Sequence, residues 1–418
     1  MFTRNCYSVV AAYIANSDVQ GLIPMDEEIP PRSGHVAACV GNKLLVWGGY
    51  QDENEASDRY LPVKDVWLYS VEFNKWTKQV TSGQYPPGLS GASSCILDKY
   101  WYILFGHMEN GNMNMVYRLN LQTFCWETRE YHSTEPSPRD KTSVWVYKDK
   151  IYCFAGFGPP VFNSEYLCDY GEFFEDPTIQ WSPIRSWNNQ LLVFDPQTWE
   201  WSNPKCKGFP PVPRAAHGAA LAGSKLFVFG GRHDMSRRND LHCLDMTSLT
   251  WSGELNPLGD IPCGRSWHAF RAISNSKVLL YGGYTTDQRP LGDAWLLDVV
   301  ALQWTRLDIL QKHTRLWHTM DITSSGDIVI FGGCSNDILR SDLQSRHVNE
   351  VVLFRIEPKT LLRCCLEMVF KHKEKTKPYW KMLPTLLQQW LCQRLHAQNT
   401  SPHPALHIQW LESPALGS

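Results

Sequence analysis

The sequence predicts an all-β fold, a six-bladed β-propeller followed by a short helical segment. Three observations carry this. One pattern recurs six times, and the second glycine of its diglycine falls at 49, 106, 156, 231, 283 and 333, in steps of 57, 50, 75, 52 and 50 residues. Each unit offers four short strands, too few to bury their own faces, so the units must stack side by side. Finally, 18 tryptophans among 28 glycines and 26 prolines suit short strands joined by tight turns.

Each unit opens on Arg-x-x-His or a remnant of it: Arg32-Ser-Gly-His35, Arg139-Asp-Lys-Thr142, Arg214-Ala-Ala-His217, Arg265-Ser-Trp-His268 and Arg315-Leu-Trp-His318. An apolar strand then ends in Gly48-Gly49, Gly230-Gly231, Gly282-Gly283 or Gly332-Gly333, with Phe105-Gly106 and Ala155-Gly156 as degenerate versions. Asp65, Asp240, Asp293 or Asn349 introduces the third strand, and Trp76, Trp126, Trp201, Trp251 or Trp304 closes the unit. The repeated arginines and histidines read as structural hydrogen-bonding groups, and the closing tryptophans as blade packing. A period near 50 with a diglycine and a spaced tryptophan resembles the kelch repeat, which implies a kelch propeller over residues 31–356.

Two features break the period. Unit three is overlong, with Pro159-Pro160, Tyr166, Tyr170 and Glu172-Phe-Phe-Glu-Asp-Pro177 before Trp187, an insertion expected on one rim. Unit six has no closing tryptophan strand. The N-terminal segment, residues 1–30, is the candidate to supply the missing strand. Its Tyr7–Ile14 stretch, with only Arg4 before it and rich in β-branched and aromatic residues, reads as strand rather than as a signal-peptide core.

Residues 357–395 switch to helical spacing. Leu361, Leu362, Leu366, Val369 and Phe370 recur at intervals of three and four, as do Leu383, Leu386, Leu387, Trp390 and Leu391. Lys371 to Lys377 is the charged linker between the two helices. Residues 396–418 are expected to form a flexible tail.

The totals exclude several classes. Forty basic and 42 acidic residues nearly cancel, so bulk charge makes no case for nucleic acid or a membrane. Thirteen cysteines, with no Cys-x-x-Cys pair, suit a reducing intracellular compartment. No metal-spaced cluster and no activated nucleophile stands out, so neither metal nor cofactor nor catalysis is expected.

One stretch exceeds the repeat pattern. After Gly230-Gly231, Arg232 and Arg237 stand five residues apart on what reads as a loop without helical or strand period. Arginines there are suited to gripping a carboxylate or phosphate. Arg238 reads as solvent-facing.

Over residues 30 to 395 the chain resembles the kelch-domain substrate receptors of cullin-2 RING ubiquitin ligases. Thr360-Leu361-x-x-x-Cys365-x-x-x-Val369 resembles the BC box that docks on elongin C, and Leu383-Pro384-x-x-Leu387-x-x-x-Leu391 is similar to the cullin-2 box. The resemblance implies partners: elongin B and C, cullin-2 with its RING subunit, and substrate proteins ending in Gly-Gly or similar small residues. It also implies site roles. Arg232, Arg237 and Ser266 would hold the terminal carboxylate, while Trp187, Trp267, Phe157 and Lys141 would form the pocket walls and rim. Phe157 replaces the family's tyrosine and Asn189 its aspartate, so one polar contact is lost and upstream preference is left open. The location implied is nuclear and cytoplasmic. The chain's own Gly417-Ser418 end is of the kind such a pocket accepts, which suggests self-association. A kelch scaffold that binds an internal motif without a ligase is the alternative.

Overall fold

The computed structural model describes residues 22–23, 28–51, 60–131, 135–160, 170–178, 184–309, 313–340, 342–355, 360–398 and 406–410. Six sheets, antiparallel except for an added parallel outer strand in blades two, four and six, follow one another as blades around an axis. The innermost strands are Val36–Val40, Ser93–Leu97, Ser143–Tyr147, Gly218–Ala222, Ala269–Ala272 and Thr319–Ile322. Each touches the next, and the first touches the sixth, so the ring is closed.

The repeat residues have separate structural duties. The second glycine of every unit faces the residue at the histidine position of the same unit. A Cβ on Gly49, Gly231, Gly283 or Gly333 would come within 2.7 to 2.8 Å of the Cβ of His35, His217, His268 or His318. Diglycine and histidine therefore recur together because the ring needs the space. The repeat arginines are buried and bond to the frame. Arg214 makes a bidentate pair with Asp240 at 2.8 and 2.7 Å, and Arg265 one with Asp293 at 2.7 and 3.0 Å. Arg315 bonds Glu350, Arg32 donates to the Gly48 carbonyl at 3.1 Å, and Arg139 donates to Asn188 and Gln190. The acidic residue that introduces a third strand is thus, in blades four and five, the counter-ion of that arginine.

The closing tryptophans bridge blades, as the spacing predicts. Trp76 packs on Phe331, Trp201 on Phe105, Trp251 on Phe154 and Trp304 on Phe229, with ring centroids 4.9 to 5.5 Å apart. In each pair the tryptophan reaches back to the preceding blade. Between blades five and six, Phe354 meets Tyr281 at 5.3 Å instead.

Blade six corrects one expectation. Its fourth strand is Leu406–Trp410, running parallel to Val351–Arg355, and not the N-terminal segment. Leu22–Ile23 instead lengthens blade one, pairing with Lys78 and Gln79. Part of the expected flexible tail is therefore a strand, because the all-buried Val351–Arg355 strand would otherwise present an open edge. The Tyr7–Ile14 stretch lies outside the described residues.

The helical segment is consequently an insertion in blade six. Thr360 caps the Leu361–Lys371 helix, accepting the Arg363 amide through its hydroxyl. The expected linker folds as a short helix, Lys373–Thr376, and a 3-10 turn, Lys377–Met382. Pro384 precedes the Thr385–Gln398 helix, where a missing N–H is tolerated. Leu366, Phe370, Trp380 and Leu391 form the hairpin core. The hairpin docks on blades six and one: Arg363 Nη1 donates to Asp327 Oδ2 at 2.6 Å, and Trp390 meets Phe73 at 6.2 Å. No helix among the described residues is long and apolar enough to cross a membrane.

Candidate functional site at the propeller mouth

The mouth is built on a repeated piece of backbone. The second x of each Arg-x-x-His, or its equivalent, has left-handed φ: Gly34 +63°, Gly91 +62°, Lys141 +53°, Ala216 +54°, Trp267 +54° and Trp317 +57°. Their peptides form a closed belt. Gly34 donates to the Trp317 carbonyl, Gly91 to Gly34, Lys141 to Gly91, Ala216 to Lys141, Trp267 to Ala216 and Trp317 to Trp267, at 2.8 to 3.1 Å. The six positions crown the channel, four with side chains (Lys141, Ala216, Trp267 and Trp317) and two, Gly34 and Gly91, without.

The first x of each motif bridges to the residue after the diglycine: Ser33 to Tyr50, Ser90 to His107, Asp140 to Phe157, Ala215 to Arg232, Ser266 to Tyr284 and Leu316 to Cys334. This brings most of the sequence-predicted residues into one rim. It also corrects the expected loop, because Arg232–His233 and Ser236–Arg237 form a tight hairpin in which Arg232 is the register partner of Arg237. Partners in an antiparallel pair share a face, and like charges placed so are unfavourable unless an anion lies between them.

Among the described residues each arginine side chain is tethered by Nε alone. Arg232 Nε donates to the Asp234 carbonyl at 2.9 Å, and its guanidinium lies 5.3 Å from the Trp187 ring. Arg237 Nε donates to Ser266 Oγ at 3.0 Å, with the guanidinium 4.5 Å over Tyr284. Neither has an ion-pair partner among the described residues, so their Nη ends remain available. Burial and the charge of Arg232 lower Arg237 to about 10, which leaves it cationic at neutral pH.

From these two arginines the rim closes as a circuit of cations and rings. Tyr284 meets Trp267 at 5.9 Å, Trp267 stacks on Trp317 at 5.3 Å, and Lys141 stands 5.3 Å over Trp317. Lys141 pairs with buried Asp140, and Arg185 lies 3.8 Å from the same carboxylate. Arg185 covers Phe157 at 4.5 Å, and Phe157 meets Trp187 at 4.9 Å, returning to Arg232. Below lies a cavity of about 180 Å³ lined by Lys141, Trp267 and Trp317 together with His35, His217, His268 and His318. Burial holds all four histidines well below their usual pKa, so they are neutral.

The structure changes some assignments. Trp187 is only 2 % exposed, so it backs Arg232 rather than walling an open pocket. Asn189 is buried and bonds Glu172 and the Pro211 carbonyl, away from the circuit. Trp317, Tyr284 and Arg185 belong to the circuit and carried no sequence expectation beyond the repeat. Among the docking residues, Leu361 is 80 % exposed and Cys365 is exposed, while Val369, Leu383 and Leu387 are half-buried. Leu391 is fully buried in the hairpin, which corrects its expected place on a docking face. Gly417 and Ser418 lie outside the described residues. No group of three or more His, Cys, Asp or Glu converges as metal ligands among the described residues.

A propeller whose repeats pair diglycine with Arg-x-x-His, and whose mouth gathers cations between rings, defines a substrate-binding kelch protein. The chain matches the KLHDC2/KLHL20/DRC7 Kelch-repeats domain over residues 5–156 and 183–333. It is 39 % identical to Kelch domain-containing protein 2 of Bos taurus over 88 % of this chain and 92 % of that protein. It is 37 % identical to Kelch domain-containing protein 1 of Homo sapiens over 86 % and 89 %. A more distant relative, Kelch domain-containing protein 10 of Xenopus tropicalis, is 25 % identical over 88 % and 85 %. The chain belongs to the family of Kelch domain-containing proteins 1 and 2.

Proposed function

We propose that the mouth captures the C-terminal carboxylate of other proteins, and that the chain is the substrate receptor of a cullin-2 RING ubiquitin ligase. The observation that supports capture is the Arg232–Arg237 hairpin pair, with two guanidiniums tethered by Nε and their Nη ends unpartnered among the described residues. A chain end carries a charge that no internal peptide has, and charge-assisted bonds to it contribute about 1.5–3 kcal/mol each. An amidated end would leave both cations facing a neutral group, so selectivity comes from the penalty as much as from the bond.

The helical hairpin supports the ligase half of the reading. Leu361 and Cys365 face solvent one turn apart on the Leu361–Lys371 helix, with Met368 exposed beyond them, a stripe suited to a partner's groove. The chain then acts without catalysis of its own, bringing a bound substrate to a ubiquitin-charged enzyme held by the partners.

The test has two arms. A Gly-Gly-ended peptide should bind the acid form well above its amide, and equal affinity would sink capture. Leu361→Glu with Cys365→Glu should abolish recovery of elongin B and C while peptide affinity stays unchanged. Retained recovery would leave the scaffold reading. Self-association through Gly417-Ser418 is a further part of the proposal. Deleting both residues should lower the oligomeric state and raise peptide affinity, and no change in either would discard it.

A further inference from the structure

A carboxylate stands behind the clamp arginines. Asp337 follows Gly332-Gly333 by four residues, in the connection between the second and third strands of blade six. Arg232 and Arg237 follow Gly230-Gly231 by one and six residues, in the corresponding connection of blade four. Asp337 is only 8 % exposed. It accepts the Tyr284 hydroxyl, and the Leu339 amide at 3.0 Å. No lysine or arginine forms an ion pair with it among the described residues.

Tyr284 joins this carboxylate to the clamp. Its hydroxyl end meets Asp337, and its face carries the Arg237 guanidinium at 4.5 Å. Its backbone pairs with that of Ser266, whose hydroxyl takes Arg237 Nε. Burial and the charge of Arg232 lower Arg237, and the charge of Asp337 opposes that shift. A buried tyrosine hydroxyl would be satisfied by any carbonyl. What a carboxylate adds is its charge, and the charges it faces are those of the arginines. Across the mouth the arrangement recurs, with Lys141 and Arg185 sharing buried Asp140.

We infer that Asp337 is a specificity-determining residue, a fixed counter-charge that matches the clamp to a singly charged chain end and disfavours a doubly charged phosphoryl group. The inference rests on the carboxylate-capture reading. Coulomb energy scales with the product of the charges. Asp337 therefore repels a dianion at the clamp twice as strongly as a monoanion, and leaves a neutral end unaffected.

Asp337→Asn removes the charge and keeps the shape, with an oxygen that still accepts from Tyr284. Affinities would be measured on the full chain for three peptides, ending in glycine amide, in glycine acid, or in the phosphonate analogue of glycine. At a mildly alkaline pH these ends carry no charge, one and two. Relative to wild type, the variant should bind the amide equally and the acid roughly three- to tenfold more tightly, and the gain for the phosphonate should approach the square of that factor. Asp337→Ser, neutral and with a hydroxyl acceptor, should give the same order and serves where the asparagine variant does not fold. An acid that binds no more tightly, equal changes for all three ends, or a gain that does not grow from acid to phosphonate overturns the counter-charge alone while wild type prefers acid to amide. Equal wild-type binding of acid and amide overturns carboxylate capture and the counter-charge with it.

Discussion

Replacing Arg237 with lysine keeps the positive charge and removes its geometry. The native guanidinium uses Nε to bond Ser266 at 3.0 Å, lies over Tyr284 at 4.5 Å and still has both Nη groups for a ligand. A lysine ammonium is a single point on a flexible stem and cannot do all three. Alanine removes one charge-assisted contact and the stacking, about 2–4 kcal/mol together. Lysine should recover part of that and lose about 1–2 kcal/mol, roughly five- to thirtyfold in affinity at 1.4 kcal/mol per decade. Fluorescence polarisation with a labelled Gly-Gly peptide reads these losses directly, with the C-terminal amide as control. The decisive comparison is the ratio of acid to amide. If alanine and lysine weaken acid and amide peptides equally, Arg237 acts on the rim's shape and not on the carboxylate, and the clamp reasoning fails.

Three further outcomes follow from the frame. The histidines of the channel make stability pH-dependent: burial, then the adjacent arginines, lower His217 and His318 from 6.5 to about 3. The unfolded chain therefore binds more protons between these values, so stability is full above about 6.5 and falls as pH drops towards 3. The melting temperature should decline over that window, His217→Gln should flatten the decline, and a flat profile in wild type would contradict the buried neutral state. Asp240→Asn strips the buried Arg214 of its counter-ion and should cost about 3–5 kcal/mol of unfolding free energy in denaturant titration, whereas an effect under 1 kcal/mol would show that the pair is not desolvated. Asp327 ties Arg355 of the propeller, at 2.8 Å, to Arg363 of the helical hairpin, at 2.6 Å. Asp327→Asn should speed hydrogen exchange across Leu361–Lys371 with peptide affinity unchanged, and unaltered exchange would mean that the Phe73–Trp390 contact holds the hairpin without it.

The legible part of the sequence was the part repeated six times. Diglycine, histidine, arginine and closing tryptophan each meet a partner in the same blade or the adjacent one, so the same local physics leaves the same mark in every unit. What resisted reading was produced only by assembly. Arg232 and Arg237 look like loop residues because a hairpin with two residues per strand has no period to detect. Trp317 sits in an x of Arg-x-x-His and reads as filler, although tryptophan recurs at that position in units five and six. Blade six was read with the wrong partner because parallel addition of Leu406–Trp410 follows a helical insertion, and no sequence spacing spans it.

The belt of six peptides explains how one frame can carry a specific mouth. Four of its residues, Lys141, Ala216, Trp267 and Trp317, hold left-handed φ without being glycine, a conformation that costs an L-residue roughly 1–2 kcal/mol. Such strain persists only where the surroundings over-determine it, and here each strained peptide donates to one neighbour and accepts from another around the axis. The belt depends on backbone alone, so the side chain at each position is free to vary without opening the ring. Glycine at Gly34 and Gly91 makes room, tryptophan at Trp317 fills it, and lysine at Lys141 sets charge beside it. Because the second glycine and the repeat arginine fix the backbone independently of these choices, the mouth can change its ligand while the propeller stays closed.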